Sequence, residues 1–456
     1  MRTRRRKVLA AGVALVAAAG VISGVLATGG SPAVPTLHMN GIAEDPCAPE
    51  SVLTVPVSVT GQFVPDSSVL TTAHGVLASP GTAAGKQCVA TAVAASTEWL
   101  DSGTIPGTAA QRGLAARALL DLRLSVRPDG AVVAGFYGDW DYTWPRDSSW
   151  VAVALADTGH GAQALSILRF LQRMQPADGI WAARYYPDGS GEVSDGRPAE
   201  LDGVGWVPWA VWSWAQHQDL TAGSPARAEL EQLWPMVTKA ADAAASSLTS
   251  DGLPVPAMDY WEDSVSVTLG TAAPLLAGLR SAASLAATLG DSVHQSYWES
   301  AADRLSAAIT ATFGRTGYQR TLSAGSGADT AVTFLGPPFA KPGQAVLAAA
   351  KAAQRELTEP NGGLRPGTAW PGAAGVAWTP ETAMFALFDA GTGQPAAAQR
   401  LLSWLAAHRT SLGELPEQVN AAGDPVSVAP LAWTDAIVLL TLLAESGQVA
   451  TVPAHT

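Results

Sequence analysis

From about Thr108 the sequence turns helical and stays so to near its end, and this restricts the fold more than any other feature of the chain. Residues 109–124 read as an amphipathic helix, with Leu114, Ala118 and Leu122 four apart. Further helical runs are predicted at 147–156, 161–174, 201–214, 226–248, 271–289, 294–313, 344–357, 380–389, 395–407 and 431–445, with a short one at 329–335. No repeat of fixed period is visible, which disfavours an open solenoid. A closed ring of helix pairs fits better. In such a ring the ends of the inner helices and their loops converge on one central pocket.

The remaining quarter divides in two. At residues 1–30, Arg2, Arg4, Arg5, Arg6 and Lys7 precede an uncharged stretch from Val8 to Ala27. That pattern is expected of an export signal cleaved after Val25-Leu26-Ala27, or of an uncleaved membrane anchor. Both place the chain in the cell envelope or outside the cell, and Arg5-Arg6 is compatible with a twin-arginine signal. Residues 31–104, rich in Pro, Gly, Ser and Thr, are expected to form a short, irregular, partly β strap. In an oxidising compartment Cys47 and Cys88 are free to pair and staple it. The main domain is placed at 105–450.

Composition narrows the function. With 48% hydrophobic and 14% charged residues, the chain is not a disordered one. Its net charge of −12, without a basic stripe, excludes electrostatic binding of nucleic acid. Two cysteines and seven scattered histidines offer no transition-metal spacing, so neither metal nor cofactor is expected, and the chain is taken as a monomer. Sixteen tryptophans are unusual, since a Trp face is favoured where an apolar surface meets something wet, such as a sugar ring. Trp206, Trp209, Trp212 and Trp214, all within one helical run, read instead as packing residues.

The chemistry resides in a few stretches. Asp259-Tyr260-Trp261-Glu262-Asp263 and Leu415-Pro416-Glu417-Gln418 each set a carboxylate beside aromatic or amide groups. Two carboxyls across a cleft can cleave a glycosidic bond, one protonating the leaving oxygen while the other activates water. Inversion requires them roughly 6.5–9.5 Å apart. Asp263 would favour a protonated Glu262 by like-charge repulsion, and the amide of Gln418 would steady an ionised Glu417. Arg146-Asp147, in Tyr142-Thr143-Trp144-Pro145-Arg146-Asp147, can grip vicinal hydroxyls. Each has a plainer reading: Glu262-Asp263 as acids at a helix N-terminus, Arg146-Asp147 as a salt bridge or cap. Glu414 is the alternative base if Glu417 is not, and Glu381 is a further carboxylate near these late stretches.

These stretches, with Leu201-Asp202-Gly203, Asn361-Gly362-Gly363-Leu364-Arg365 and Pro430-Leu431-Ala432-Trp433, occur in the order of glycoside hydrolase family 15, the glucoamylases, which the chain resembles from Thr108 to Ser446. The resemblance implies an all-α (α/α)6 toroid. It also implies inverting, exo-acting release of β-glucose from the non-reducing end of α-gluco-oligosaccharides, with trehalose or isomaltose- and dextran-type substrates as alternatives. Glu262 matches the family's general acid and Glu417 its general base. Arg146, Asp147, Asp263 and Arg365 match substrate-binding positions, and Trp144, Trp261 and Trp433 the aromatic lining. The chain departs from the pattern where Asp195 precedes Gly196-Arg197-Pro198, the place of a stacking Trp in fungal members. Trp181 is the expected replacement. A non-catalytic glucan-binding toroid is the reading from another class.

Overall fold

The computed structural model describes residues 33–49, 51–323 and 325–453, so the export or anchor segment expected at 1–30 lies outside the described residues. The chain opens with an antiparallel pair, β1 (Gly41–Glu44) and β2 (Val52–Val55), and a small antiparallel sheet of β3 (Gly61–Phe63), β4 (Leu70–Thr72) and β5 (Gly75–Val76). A helix follows inside the stretch expected to be irregular strap: α1 (Ala83–Asp101). Thr82 starts it, its hydroxyl accepting from the Gly85 N–H. The buried residues of α1 are Gly85, Ala92, Ser96 and Leu100, mostly too small to produce a legible apolar stripe.

The toroid comprises α2 (Arg112–Ser125), α3 (Pro145–Asp157), α4 (Gly161–Met174), α5 (Gly203–Gln216), α6 (Pro225–Ser246), α7 (Leu269–Leu289), α8 (Ser292–Thr312), α9 (Gln344–Leu357), α10 (Thr379–Gly391), α11 (Pro395–Ala407) and α12 (Ala432–Glu445). A 3-10 helix, Thr330–Leu335, takes the twelfth place. Contacts run from α3 to α5, α7, the 3-10 helix, α10, α12 and back to α3, closing an inner ring. The helices α2, α4, α6, α8, α9 and α11 pack outside it.

Residue patterns explain the two layers. Every residue of α5 from Gly203 to Ala215 is buried, as an inner helix covered on all sides requires. Outer α9 buries only Val346, Ala350, Ala353 and Leu357, one stripe at helical spacing. Inner α7 is long and apolar enough to cross a membrane by composition, yet here it is mostly buried in the ring. It crosses α5 closely: a Cβ at Gly278 would lie 2.5 Å from the Cα of Gly205, so only glycine permits this approach.

Large aromatics fill the centre. Trp206 lies 5.0 Å from Phe334 and 5.1 Å from Phe339 between ring centroids, and Trp150 lies 5.1 Å from Trp209, all in edge-on pairings. The four tryptophans of α5 are accordingly core residues, each buried.

The strap is fastened to the toroid at several points, two of which bear on the late carboxylates. The Ile42 N–H donates to both oxygens of Glu414 at 3.0 Å, and a Cβ on Gly41 would come within 2.3 Å of that carboxyl. Glu414 is fully buried beneath β1, which removes it as an alternative base. Further along, the His38 N–H donates to the Ser427 carbonyl at 2.8 Å, and the Ser427 N–H to Thr36 O at 3.1 Å. Cys47 and Cys88 are joined, with their Cα atoms 5.1 Å apart, so the strap's first hairpin is tied to α1. Closing a loop of this length is worth about 3–4 kcal/mol by chain entropy.

Candidate active site

One end of the ring holds a cavity of about 310 Å³, at the lower limit of the roughly 300–1,000 Å³ usual for small-molecule sites. Trp144, Arg146, Asp147, Trp261, Glu262, Glu417 and Trp433 all line it, although 273 positions separate Trp144 from Glu417 and the chain reaches the cavity from four different loops and helix starts. Beneath it, Tyr260 and Trp433 pack on the central aromatics: Tyr260 is 5.9 Å from Phe334 and Trp433 is 6.3 Å from Trp150. The packed core therefore closes the cavity from below.

Arg146 and Asp147 occupy the first turn of α3, which Pro145 starts. The Arg146 guanidinium faces Glu200, Asp202 at 3.3 Å and Asp147 at 3.7 Å, and lies 5.1 Å from the centroid of Trp433. Burial pushes the Asp147 carboxyl up to about 6 against the opposing pull of Arg146, and pushes Glu200 up as well. The arginine, surrounded by anions, stays charged. The plainer salt-bridge reading thus holds for Arg146-Asp147, and the pair also faces the cavity.

Glu262 is not at a helix N-terminus, because α7 begins only at Leu269. It sits in a turn, with its N–H donating to Asp259 O at 2.9 Å and the Trp261 N–H donating to Asp259 Oδ1 at 3.0 Å. Its φ of 54° is left-handed, a strained setting for a residue other than glycine. The turn is anchored by Arg320, which donates to Asp259 at 2.9 Å and lies 3.8 Å from the Trp261 centroid. The Trp144 Nε1–H donates to Glu262 Oε1 at 3.1 Å, and Arg197 forms an ion pair with the other oxygen.

Glu417 faces the same cavity from the start of a small antiparallel sheet, β6 (Ala377–Trp378), β7 (Gln418–Val419) and β8 (Pro425–Val426). Three donors converge on its carboxylate: Trp140 Nε1–H at 3.0 Å, the Gln418 amide at 3.0 Å and the Ser427 hydroxyl. Burial raises its pKa above the ordinary carboxylate value, and the three donors offset part of that rise. Ser427 is the residue that the strap holds through His38 and Thr36, so the N-terminal segment supports the setting of Glu417.

Three sequence expectations need correction. Asp263 does not line the cavity; its carboxylate accepts from Arg320 at 2.7 Å, so the charged neighbour of Glu262 is the Arg197 cation and not Asp263. Arg365 also lies outside the lining, its guanidinium donating to the carbonyls of Gly367, at 3.0 Å, and Thr368, where it braces the loop after it. Trp181 is buried with its Nε1–H donating to Leu171 O at 2.9 Å, so it offers no face to a ligand. Aromatic and charged groups that line the cavity beyond those expected from sequence include Trp140, Trp370, Trp378, Tyr260, Asp139, Arg184 and Arg197, with Glu381, the further carboxylate, among the lining as well. The Gly-Arg-Pro landmark already pointed at Arg197. For Trp370 and Trp378 the only signal was their nearness to the Asn361–Arg365 stretch.

Among the described residues no group of three or more His, Cys, Asp and Glu side chains is arranged to hold a metal ion.

Comparison with known proteins places this architecture. The chain has the all-α (α/α)6 toroid fold of the glucoamylases. A bacterial glucoamylase solved with acarbose superposes with a TM-score of 0.62 at 15% identity, covering 80% of this chain and 60% of the other. A family 15 glucoamylase from Hypocrea jecorina gives 0.57 at 16% identity over 74% of this chain and 75% of its own. A smaller glycosidase, for which a variant has been solved in complex with glucose, gives 0.61 at 21% identity over 74% of this chain and 96% of its own. In sequence, an uncharacterized glycosyl hydrolase of Methanocaldococcus jannaschii is 29% identical over 174 residues, 37% of this chain. The match spans only 26% of that relative's length. No protein-family profile matches the chain.

Proposed function

We propose that the protein is an inverting, exo-acting α-glucosidase that releases β-glucose from the non-reducing end of soluble α-gluco-oligosaccharides. The observation that carries this reading is that Glu262 and Glu417 face one cavity closed below by the aromatic core. A cavity of that shape admits a chain end, whereas an endo-acting enzyme needs a cleft open on both sides. The similarity in fold to glucoamylases and the order of the sequence motifs support the same assignment.

In this reading Arg146, Asp147 and Trp433 hold the terminal glucose. Glu262 protonates the glycosidic oxygen as the bond to the anomeric carbon breaks. Glu417 takes a proton from the water that attacks the opposite face. Arg197 opposes the first step, because a cation beside Glu262 favours its ionised form. Arg197 therefore has to swing aside when the leaving sugar enters. Its side chain is over a third exposed, and its second ion pair, to Asp195 at 3.2 Å, would hold the guanidinium once it leaves Glu262.

The test is release of glucose from maltose, isomaltose, trehalose and short maltodextrins, followed by proton NMR. First-formed β-glucose is expected; first-formed α-glucose excludes inversion, and no release from any of the panel rejects the assignment. The same assay yields a pH prediction. Glu417 acts ionised, so its raised pKa sets the acid limb of kcat/KM. Trp140→Phe removes one donor that lowers this pKa, and the acid limb should move to higher pH while the alkaline limb stays. An acid limb unmoved in that variant would show that Glu417 is not the group that titrates there.

A further inference from the structure

Glu381 is a carboxyl of the cavity wall to which neither the acid–base pair nor the Arg146 clasp gives a task. It stands in the first turn of α10, behind Trp378 at the end of β6 and Pro380 at the helix start. Its side chain lines the cavity while being only 3% exposed, and its Oε2 has no hydrogen-bond partner in the protein. An unpartnered buried oxygen is costly, and its natural complement here is a ligand atom. The cation nearest in charge effect, Arg146, already faces Glu200, Asp202 and Asp147.

We propose that Glu381 is a specificity-determining residue of this site, a neutral carboxylic acid that donates its proton to a hydroxyl oxygen of the bound terminal sugar. The proposal rests on the glycosidase reading of the same cavity. A protonated carboxyl both donates to and accepts from one hydroxyl, so it reads a sugar position that an ionised carboxylate could only accept from. The surroundings favour the neutral form. Burial does most to carry Glu381 to about 8; the negative charges of Glu417, just before β7, and of Asp329, ahead of the 3-10 helix, push the same way, while its own backbone N–H and Arg146 from α3 pull against them. Tyr260, also on the cavity wall, spends its hydroxyl on Asp329 Oδ1 at 2.7 Å. Asp329 itself is pushed up to about 7 and Asp147 to about 6, so both titrate below Glu381.

The experiment uses glucose and its monodeoxy analogues as non-reacting probes, titrated into the full-length protein by calorimetry, alongside kcat/KM on maltose. Wild type is expected to bind glucose steadily from pH 7 to 7.5 and to lose affinity as pH rises through about 8. Glu381→Gln, a permanent donor of similar shape, should remove that alkaline loss. Glu381→Leu should weaken binding about tenfold, the loss of one buried hydrogen bond. One deoxyglucose should lose the same factor in wild type and nothing further in Glu381→Leu. Circular dichroism confirms that each variant is folded, and the Gln variant serves alone if the Leu variant is not. If both variants bind glucose and every analogue as wild type does, with the same pH response, the proposal is overturned while the hydrolase reading stands. Failure of wild type to bind glucose or release it from any α-glucoside would instead reject the reading of the cavity, and the proposal with it.

Discussion

Glu417→Gln is expected to lower kcat about 10²–10⁴-fold on every substrate, the range for removal of a positioned general base, the role proposed for Glu417. Glu262→Gln should lose as much on maltose but far less on an aryl α-glucoside whose phenol leaves without a proton. This divergence is the informative part. The acid works on the leaving group, so a good leaving group makes it dispensable, while the base works on water and is needed whichever group departs. The Gln418 amide and the Ser427 hydroxyl both approach Glu417 Oε2 while Trp140 approaches Oε1. A glutamine has a single acceptor oxygen, so one side of this cradle is left donor against donor, and the variant should also lose about 1–3 kcal/mol of stability. At Glu262 the cradle is one indole N–H and the partly exposed Arg197, which keeps Asp195 as a partner, and Gln should be nearly neutral to folding. Initial rates on maltose and on a nitrophenyl α-glucoside, with urea unfolding curves, separate the two roles. Equal losses at both positions on both substrates would deny the division of labour between them.

What the sequence disclosed follows from periodicity. Outer helices α4, α9 and α11 begin and end where the apolar pattern places them, because each has one wet face and one dry one. Helix α1 escaped notice because alanine, glycine and serine make its buried side, and small residues produce little contrast. Glu262 and Glu417, which both line the cavity, were legible as candidate carboxylates beside aromatic or amide neighbours. The aim of side chains in irregular loops was not. Asp263 and Arg365 sit in stretches with no helical or strand period, and each turns toward a protein partner, Arg320 in one case and the Gly367–Thr368 carbonyls in the other. Likewise β6 and β7, two residues each, are too short to leave a strand signal, yet they set Trp378 opposite Gln418 and hold Glu417 at the cavity. The bond between Ile42 and Glu414 spans most of the chain, and no local pattern announces such a contact.

Arg146→Met should have the largest effect on stability, about 3–5 kcal/mol, because it strands buried carboxylates without their cation. Glu200, Asp202 and Asp147 all face this guanidinium and all are buried. The sign of the pH dependence follows from the direction in which burial moves them. Asp147 and Glu200 already have raised pKa values, and losing the cation that lowers them raises both further. A carboxyl whose folded pKa lies above its unfolded one favours the folded state fully at low pH, and that contribution is lost as pH rises through the folded value. The variant's deficit should therefore be small near pH 4.5, grow through pH 6 and be greatest at pH 8, as read by urea midpoints at each pH. Arg146→Lys restores charge without the fork that reaches three acceptors, so it should recover part of the stability at pH 8 and little of the sugar binding. A deficit of equal size at pH 4.5 and 8 would mean that packing against Trp433, not charge, is what Arg146 contributes.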